Sequence, residues 1–294
     1  MNTLGTVPGS DGHSGFDAYA PKEIADRVEK YSIAKAQLPL LSLWMLGMLA
    51  GAFIGFGALA YTLVASDDGL GFVASRFIGG LAFSLGLLLV TIAGAELFTG
   101  NNMLVMAWAD GCIDARQVLR NWVVVCAANL VGCVGLAVLA WLSGHGALND
   151  GQVGRAALRI AVTKAHLPPA EAFFRGVLCN ALVCMAVWMA YAGRSVTDKA
   201  LAVVFPVTAF VAAGFEHSIA NMYFFAFAVL LDAPIGTVDA VHNLVPVIAG
   251  NVVGGAVLVV LVYFVSYVRS GRSGRARAGA HRPDGTGDAR PPAR

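Results

Sequence analysis

The sequence predicts an all-α membrane protein with six transmembrane helices, arranged as two three-helix copies of opposite orientation in which helices 2 and 5 are broken. Of its 294 residues, 57% are hydrophobic and only 13% are charged, which is too apolar for a soluble domain of this length. Apolar runs recur with the roughly 20 residues that a helix needs to cross a bilayer. Two of these runs exceed that length and carry polar interruptions of similar composition.

The N-terminal segment, 1–37, is expected to be cytoplasmic. It lacks the apolar stretch and the cleavage site of a secretory signal. Pro21 suits the first turn of a helix, and Ile24, Val28 and Tyr31 follow at helical spacing. This pattern predicts an amphipathic helix that lies along the membrane surface.

Both ends of the chain have compositions typical of flexible segments. Residues 1–16 are rich in Gly, Ser and Asp, and residues 269–294 form a predicted disordered, basic cytoplasmic tail. The formal net charge is only +2, and the basic residues lie at the ends and in loops, so no nucleic acid partner is indicated. The five cysteines lack CxxC spacing, and we expect no metal and no cofactor.

The transmembrane domain, 38–268, is predicted to hold six spans. The second is interrupted by AGAELFTGNN at 93–102 and the fifth by AAGFEHSIAN at 212–221. Lys and Arg are more numerous in the segments on the N-terminal side, so the positive-inside rule places both termini in the cytoplasm of a bacterial-type inner membrane. The spans are predicted at 38–64, 77–109, 119–143, 171–192, 200–231 and 239–267.

The two interruptions indicate an internal repeat. Aligning GAELFTGNNM at 94–103 with GFEHSIANMY at 214–223 matches three residues at an offset of 120, and two further asparagines match at an offset of 122. Three spans per copy invert the second copy, so the interruptions should face each other near the midplane. The matched pairs are Gly94 and Gly214, Glu96 and Glu216, Asn101 and Asn221, Asn121 and Asn243, and Asn129 and Asn251.

Breaks of this kind favour anion binding. Non-helical backbone at membrane depth leaves N–H and C=O groups unpaired unless it is buried in protein or lines a wet cavity. A half-helix that begins at a break presents free N–H groups and the positive end of its dipole. Both features suit a small anion better than a cation.

Ionisable residues in the breaks are functional candidates because their burial in a membrane is unfavourable. His217 could attract an anion or hand a proton to it, and the alternative is a structural histidine bonded to a carbonyl or an asparagine. Glu96 and Glu216 are interpreted, with Asn101 and Asn221, as groups that hold the broken backbone together.

Further candidates surround the breaks. Thr99 offers a hydroxyl that can donate to a carboxylate-sized ligand. Lys164 and His166 are expected on the outer side, where positive charge would raise the local anion concentration, although both could be ordinary loop residues. Apolar collars, or ordinary packing and lipid contacts, are expected from Phe83, Leu87, Phe98 and Phe210.

With these motifs, the sequence resembles the formate/nitrite transporter family over about residues 20–268. The most specific motif is GFEHSIANMYFF at 214–225. The resemblance implies an aquaporin-like six-helix protomer that assembles as a homopentamer, with one pore per protomer and a lipid-filled central hole. Supporting motifs are AGAELFTGN at 93–101, CNALVCMAVWMAYAGRSVTDKA at 179–200 and NLVPVIAGNVVGGA at 243–256.

The resemblance also implies roles for individual residues. His217 would be the central pore histidine, with Thr99 facing it and Asn180 as a nearby polar partner. Lys164 would lie at the periplasmic vestibule, and the N-terminal helix would occlude the cytoplasmic mouth as a pH gate. The constrictions would be lined by Phe83, Leu87, Leu97, Phe98 and Phe210.

Formate is the leading substrate, with proton-linked passage of the weak acid, followed by nitrite and then hydrosulfide. LFTGNN at 97–102 departs from the LFTST of formate channels and the LFTGH of nitrite channels, whereas FVAAGFEHSIAN and AVWMAYAGRSVTDKA resemble the formate branch.

Two other classes of protein fit less well. An intramembrane metalloenzyme using Glu216 and His217 lacks enough ligands and an HExxH motif. A purely structural membrane protein would not need two matched helix breaks.

Overall fold

The computed structural model describes residues 18–269, and within that range its regular elements are all helices, without strands. Six of its helices are long and apolar enough to cross a membrane, as predicted. The expectations for residues 1–16 and for the tail after Arg269 concern residues outside this range. The helices are α1 (Pro21–Ala36), α2 (Leu40–Val64), α3 (Phe72–Ala93), α4 (Val105–Ala109), α5 (Ala115–Leu142), α6 (Gln152–Ala165), α7 (Pro169–Ala192), α8 (Val196–Ala213), α9 (Ser218–Leu230) and α10 (Thr237–Val252), which π-helical turns continue over Val253–Leu261 and Phe264–Arg269.

The second and fifth predicted spans are each divided. The second, predicted at 77–109, begins at Phe72, stops at Ala93 and resumes as a 3₁₀ turn over Gly100–Leu104 and then α4. The fifth, predicted at 200–231, consists of α8 and, after a short break, α9. The helix ends therefore lie at the polar interruptions of the sequence.

One amphipathic helix precedes the first span of each half of the chain. The helix α1 was predicted, whereas the residues of α6 were interpreted only as part of an outer segment that carries Arg155, Arg159 and Lys164. Its other face is rich in buried alanines. Lys35 lies in the last turn of α1 and Lys164 in the last turn of α6, at an offset of 129. The repeat thus extends further towards the N-terminus than the sequence comparison indicated.

The apolar face of α1 packs against protein. Ile24 and Val28 are buried in a cluster that includes Trp188, in agreement with the predicted amphipathic pattern. Tyr31 was assigned to the same face, but it is 48% exposed, and its ring stacks on that of Tyr191 with centroids 5.1 Å apart. The helix is therefore attached to the bundle of spans rather than lying apart from it.

Glycines allow the spans next to the breaks to approach closely. A Cβ added to Gly132 of α5 would lie 1.9 Å from Met48 O of α2, and one added to Gly254 would lie 2.1 Å from Val177 O of α7. Small residues at such crossings are typical of membrane helices. Asn129 and Asn251 each lie three residues before one of these glycines, so the close packing carries both amides into the core.

Candidate functional site

Both breaks begin at a glycine in the left-handed conformation. Gly94 ends α3 with a φ of +83°, and Gly214 ends α8 with a φ of +76°. This conformation is strained for residues with a Cβ, which explains the glycine at each position. The chain then turns into the core, and it resumes helical structure at Gly100 in the first break and at Ser218 in the second.

An ion pair between a buried glutamate and a partly exposed lysine anchors the first break. Glu96 Oε1 lies 2.9 Å from Lys35 Nζ, and Glu96 Oε2 accepts a hydrogen bond of 2.7 Å from Asn101 Nδ2. The same amide nitrogen donates to Asn121 Oδ1 at 2.9 Å. Both carboxylate oxygens have partners. Glu96 therefore connects the break to α1 through Lys35 and, by way of Asn101, to Asn121 of α5.

The second break has the same set of partners. Glu216 Oε1 lies 2.8 Å from Lys164 Nζ, and Glu216 Oε2 accepts from Asn221 Nδ2 at 2.6 Å. Asn221 Nδ2 also donates to Asn243 Oδ1 at 2.8 Å. Lys164 thus neutralises a buried carboxylate. These contacts support the interpretation of both glutamates and of Asn101 and Asn221 as structural groups at the breaks.

A buried asparagine from the neighbouring span holds the backbone of each break. Asn129 accepts from Phe98 N–H at 3.0 Å and donates to Glu96 O at 2.9 Å. Asn251 accepts from Ser218 N–H at 3.0 Å and donates to Glu216 O at 3.0 Å. Backbone groups exposed by the breaks are satisfied in this way, as burial requires.

The two breaks meet at Thr99 and His217. Thr99 Oγ1 lies 3.0 Å from His217 Nε2, and both residues are buried. His217 also caps α9, because its Nδ1 accepts from Ala220 N–H at 3.1 Å. With Nδ1 acting as an acceptor, the proton of a neutral ring lies on Nε2 and is donated to Thr99. The hydroxyl hydrogen of Thr99 is then free for another acceptor.

Asn180 supports this pair from behind. Its Nδ2 lies 3.2 Å from Thr99 O, 3.1 Å from Asn102 Oδ1 and 2.6 Å from Asn251 O, so it links the first break to α10. The contact is with the Thr99 backbone rather than its hydroxyl. Asn180 is fully buried and is therefore placed as a positioning residue.

Two cavities approach the Thr99–His217 pair. The Lys164 cavity, of about 390 Å³, is lined by Lys164, Phe83 and His217, among others. The Lys35 cavity, of about 430 Å³, is lined by Lys35 and Leu87, among others. The two sets of lining residues do not overlap, and they contact successive parts of α3. The cavities therefore lie at opposite ends of α3.

Apolar side chains separate the cavities. Phe83 and Phe210 meet edge to face with centroids 5.8 Å apart on the Lys164 side, and Phe210 also stacks on the His217 ring at 6.0 Å. Leu87 and Leu97 line the Lys35 cavity. All five apolar residues predicted to line constrictions are buried: Phe83, Leu87, Leu97, Phe98 and Phe210.

Phe98 differs from the other four apolar residues. It lines neither cavity, and its ring packs against Trp122 of α5 with centroids 6.3 Å apart. In this structure it is a packing residue, which was the alternative considered for it. His166 also follows its alternative as an ordinary loop residue, since it is exposed and its Nδ1 lies 2.8 Å from Val162 O.

Sequence reasoning missed several cations at this site, among them Lys35, Arg76 and Arg175. Lys35 was counted only as a charge in a cytoplasmic segment, and Arg76 and Arg175 only as outer charges, yet all three line a cavity. Lys35 could have been found by extending the repeat, because Lys164 is its counterpart. Nothing in the sequence pairs Arg76 with Arg175, which lie on different spans.

A metal centre on Glu216 and His217 finds no support in the geometry. Both oxygens of Glu216 and both ring nitrogens of His217 already have protein partners. Within residues 18–269, the ligand atoms that could share an ion are those of Glu29, Asp110 and Cys112, within 4.8 Å of one another. That cluster lies beside α1, away from the breaks.

Comparisons with known proteins agree with this geometry. The family model described as formate/nitrite transporter matches residues 22–265. The formate channel FocA of Escherichia coli strain K12 is 38% identical over 274 residues, covering 86% of this chain and 96% of that protein. FocA of Haemophilus influenzae is 39% identical, covering 82% and 92% respectively.

Solved structures of similar proteins have the same fold. One, described as a pentameric formate channel with formate bound, superposes with a TM-score of 0.71 and 37% identity, covering 78% of this chain and 97% of that one. Another, described as an FNT family ion channel, superposes with a TM-score of 0.77 and 31% identity, covering 83% and 98%.

Proposed function

Because the chain belongs to the formate/nitrite transporter family, we propose that it is a pentameric channel for small monovalent anions, with formate as its principal substrate. Several relatives bear the name formate channel, and a similar solved structure is described as pentameric with formate bound. Exposed apolar side chains on the spans, such as Leu41 and Phe205, suit contact with lipid or with neighbouring protomers.

The observation that carries this proposal is the Thr99–His217 pair between two cavities with cationic linings. Arg76 and Lys164 line one cavity, and Arg27 and Lys35 line the other. Positive charge at both mouths favours the entry of anions. The pair, with 3.0 Å between Oγ1 and Nε2, offers hydrogen-bond donors in an otherwise apolar barrier. These donors suit an anion that accepts hydrogen bonds.

We also propose that His217 links anion passage to protons. In the observed geometry the neutral ring donates through Nε2, while Nδ1 serves as the cap of α9. Adding a proton at Nδ1 requires the cap bond with Ala220 to break. The resulting cation would hold an anion at the barrier and could transfer a proton to it. A neutral weak acid then crosses the apolar region without the desolvation penalty of an ion.

The proposed location is a bacterial-type inner membrane, with both termini in the cytoplasm. The excess of Lys and Arg on the N-terminal side supports this orientation. It makes the Lys35 cavity the cytoplasmic mouth and the Lys164 cavity the periplasmic vestibule. Several residues of α1, including Val28 and Tyr31, line the Lys35 cavity, which suits a gate at that mouth.

Nitrite is the second candidate substrate, ahead of hydrosulfide. The LFTGN sequence at 97–101 has Gly100 where the formate pattern has serine, as in the nitrite pattern. Formate and nitrite both have two oxygens that can accept hydrogen bonds from Thr99 and His217. Hydrosulfide is also the anion of a small weak acid, but its single sulfur is a weaker acceptor.

The substrate assignment is tested by uptake into liposomes that contain the purified protein. We expect rapid uptake of formate, slower uptake of nitrite and hydrosulfide, and none of a large anion such as gluconate. Liposomes without protein correct for the direct permeation of formic acid. Faster uptake of nitrite than of formate would reassign the substrate, and uptake of gluconate would contradict a narrow barrier.

A further inference from the structure

Two arginines converge on the second break inside the Lys164 cavity. Arg76 of α3 and Arg175 of α7 both line this cavity. A Cβ added to Gly214 would lie 2.7 Å from Arg76 Nη2 and 3.9 Å from Arg175 Nη1, so both guanidinium groups approach one backbone position. Arg175 Nη1 also donates to Gly214 O at 3.2 Å. The two cations are thereby held near each other.

Arg76 contacts neutral side chains, those of Tyr61 and Phe72. Within residues 18–269 no carboxylate forms an ion pair with it. Its Nη1 donates to the neutral Tyr61 hydroxyl at 3.3 Å, and its buried Nε has no hydrogen-bond partner. Arg175, in contrast, pairs with Glu171 one helical turn away.

Neighbouring cations in a partly enclosed cavity repel each other, and an anion between them relieves that repulsion. The third cation near them, Lys164, cannot relieve this repulsion and is itself paired with Glu216 at 2.8 Å. Glu216 is the one carboxylate among the described residues that line the cavity. Both of its oxygens are already engaged by Lys164 and Asn221.

We propose that Arg76 and Arg175 form an anion-binding subsite, separate from Thr99 and His217, that prefers planar anions with two oxygens, such as formate and nitrite. A guanidinium group donates two parallel hydrogen bonds that match a carboxylate, whereas hydrosulfide has a single atom to offer. The subsite rests on the proposed function, because it loads the barrier from the cavity that His217 lines.

The first test is formate binding to the purified protein, measured by isothermal titration calorimetry. Arg76→Lys keeps the positive charge but removes the planar pair of donors. We expect its affinity for formate to fall roughly tenfold, as the loss of one charge-assisted hydrogen bond predicts. Arg175→Lys should behave similarly. Arg155→Lys, at an exposed arginine of α6 outside both cavities, should bind formate like the wild type.

The second test uses liposomes. In Arg76→Lys we expect the formate concentration at half-maximal flux to rise roughly tenfold, with hydrosulfide flux unchanged. Wild-type affinity for formate in both lysine variants, or equal losses for formate and hydrosulfide, would overturn the subsite. A wild-type protein that binds formate through Arg76 but conducts none would instead overturn the proposed function and leave the subsite standing.

Discussion

Replacing His217 by asparagine is expected to abolish the pH dependence of formate uptake while leaving the protein folded. In the wild type, uptake should rise as the pH falls over the range tested, because a protonated imidazole can supply a proton to the anion. Asparagine cannot be protonated in this range, yet it is a favourable N-cap for α9. Uptake into liposomes at a series of pH values gives the profile of each variant.

The size of the effect follows from the lost donor. Without Nε2, Thr99 Oγ1 loses its partner at 3.0 Å, and a transported anion loses a donor at the barrier. We expect flux at low pH to fall about tenfold, equivalent to one hydrogen bond of about 1.4 kcal/mol. His166→Asn is the matched control, because His166 is exposed and its side chain bonds to Val162 of the preceding helix α6. An unchanged pH profile in His217→Asn would return this histidine to a purely structural role.

Replacing Asn251 by alanine is expected to cause the largest loss of stability. Its buried side chain accepts from Ser218 N–H and donates to Glu216 O and to Gly176 O, at 2.9 to 3.0 Å. Alanine leaves Ser218 N–H and Glu216 O buried without this partner, at about 1–3 kcal/mol each, whereas Gly176 O keeps its hydrogen bond within α7. We expect a loss of about 3–5 kcal/mol, and a similar loss for Asn129→Ala, which holds the first break.

Thermal unfolding of the purified protein measures this effect. Val245→Ala on the same helix is the control, because Val245 is 61% exposed and its truncation removes no hydrogen bond. The midpoint should fall markedly for Asn251→Ala and hardly at all for Val245→Ala. Equal midpoints in the two variants would show that the asparagine network does not hold the break.

The position of the breaks could be predicted because polar residues are rare in spans and here recur as matched pairs. Glu96 and Glu216 lie in apolar surroundings, where a buried carboxylate without partners would be unfavourable. Each glutamate therefore marked a place where the helix is interrupted and polar partners are present. The partner of Glu216 was not predicted, although Lys164 was noted as a candidate. Lys35 lies about 60 residues before Glu96, and sequence spacing alone does not bring them together.

Side-chain direction was less predictable than position. Leu97 and Phe98 are adjacent in an irregular segment, where neither helical nor strand periodicity indicates which side chain faces a cavity. The structure places Leu97 in the lining and turns Phe98 towards Trp122. The helix α6, in contrast, could have been found from the sequence, because its buried residues recur at helical spacing.

The route of the anion is tested most directly by comparing formate uptake in the wild type, Leu87→Trp and Leu85→Trp. Leu87 is buried at the edge of the Lys35 cavity, whereas Leu85, on the same helix, is 43% exposed. All three proteins are first checked for the same oligomeric state. We expect uptake by the wild type and Leu85→Trp, and almost none by Leu87→Trp, because the indole blocks the barrier. Wild-type uptake by Leu87→Trp would contradict a route between the two cavities.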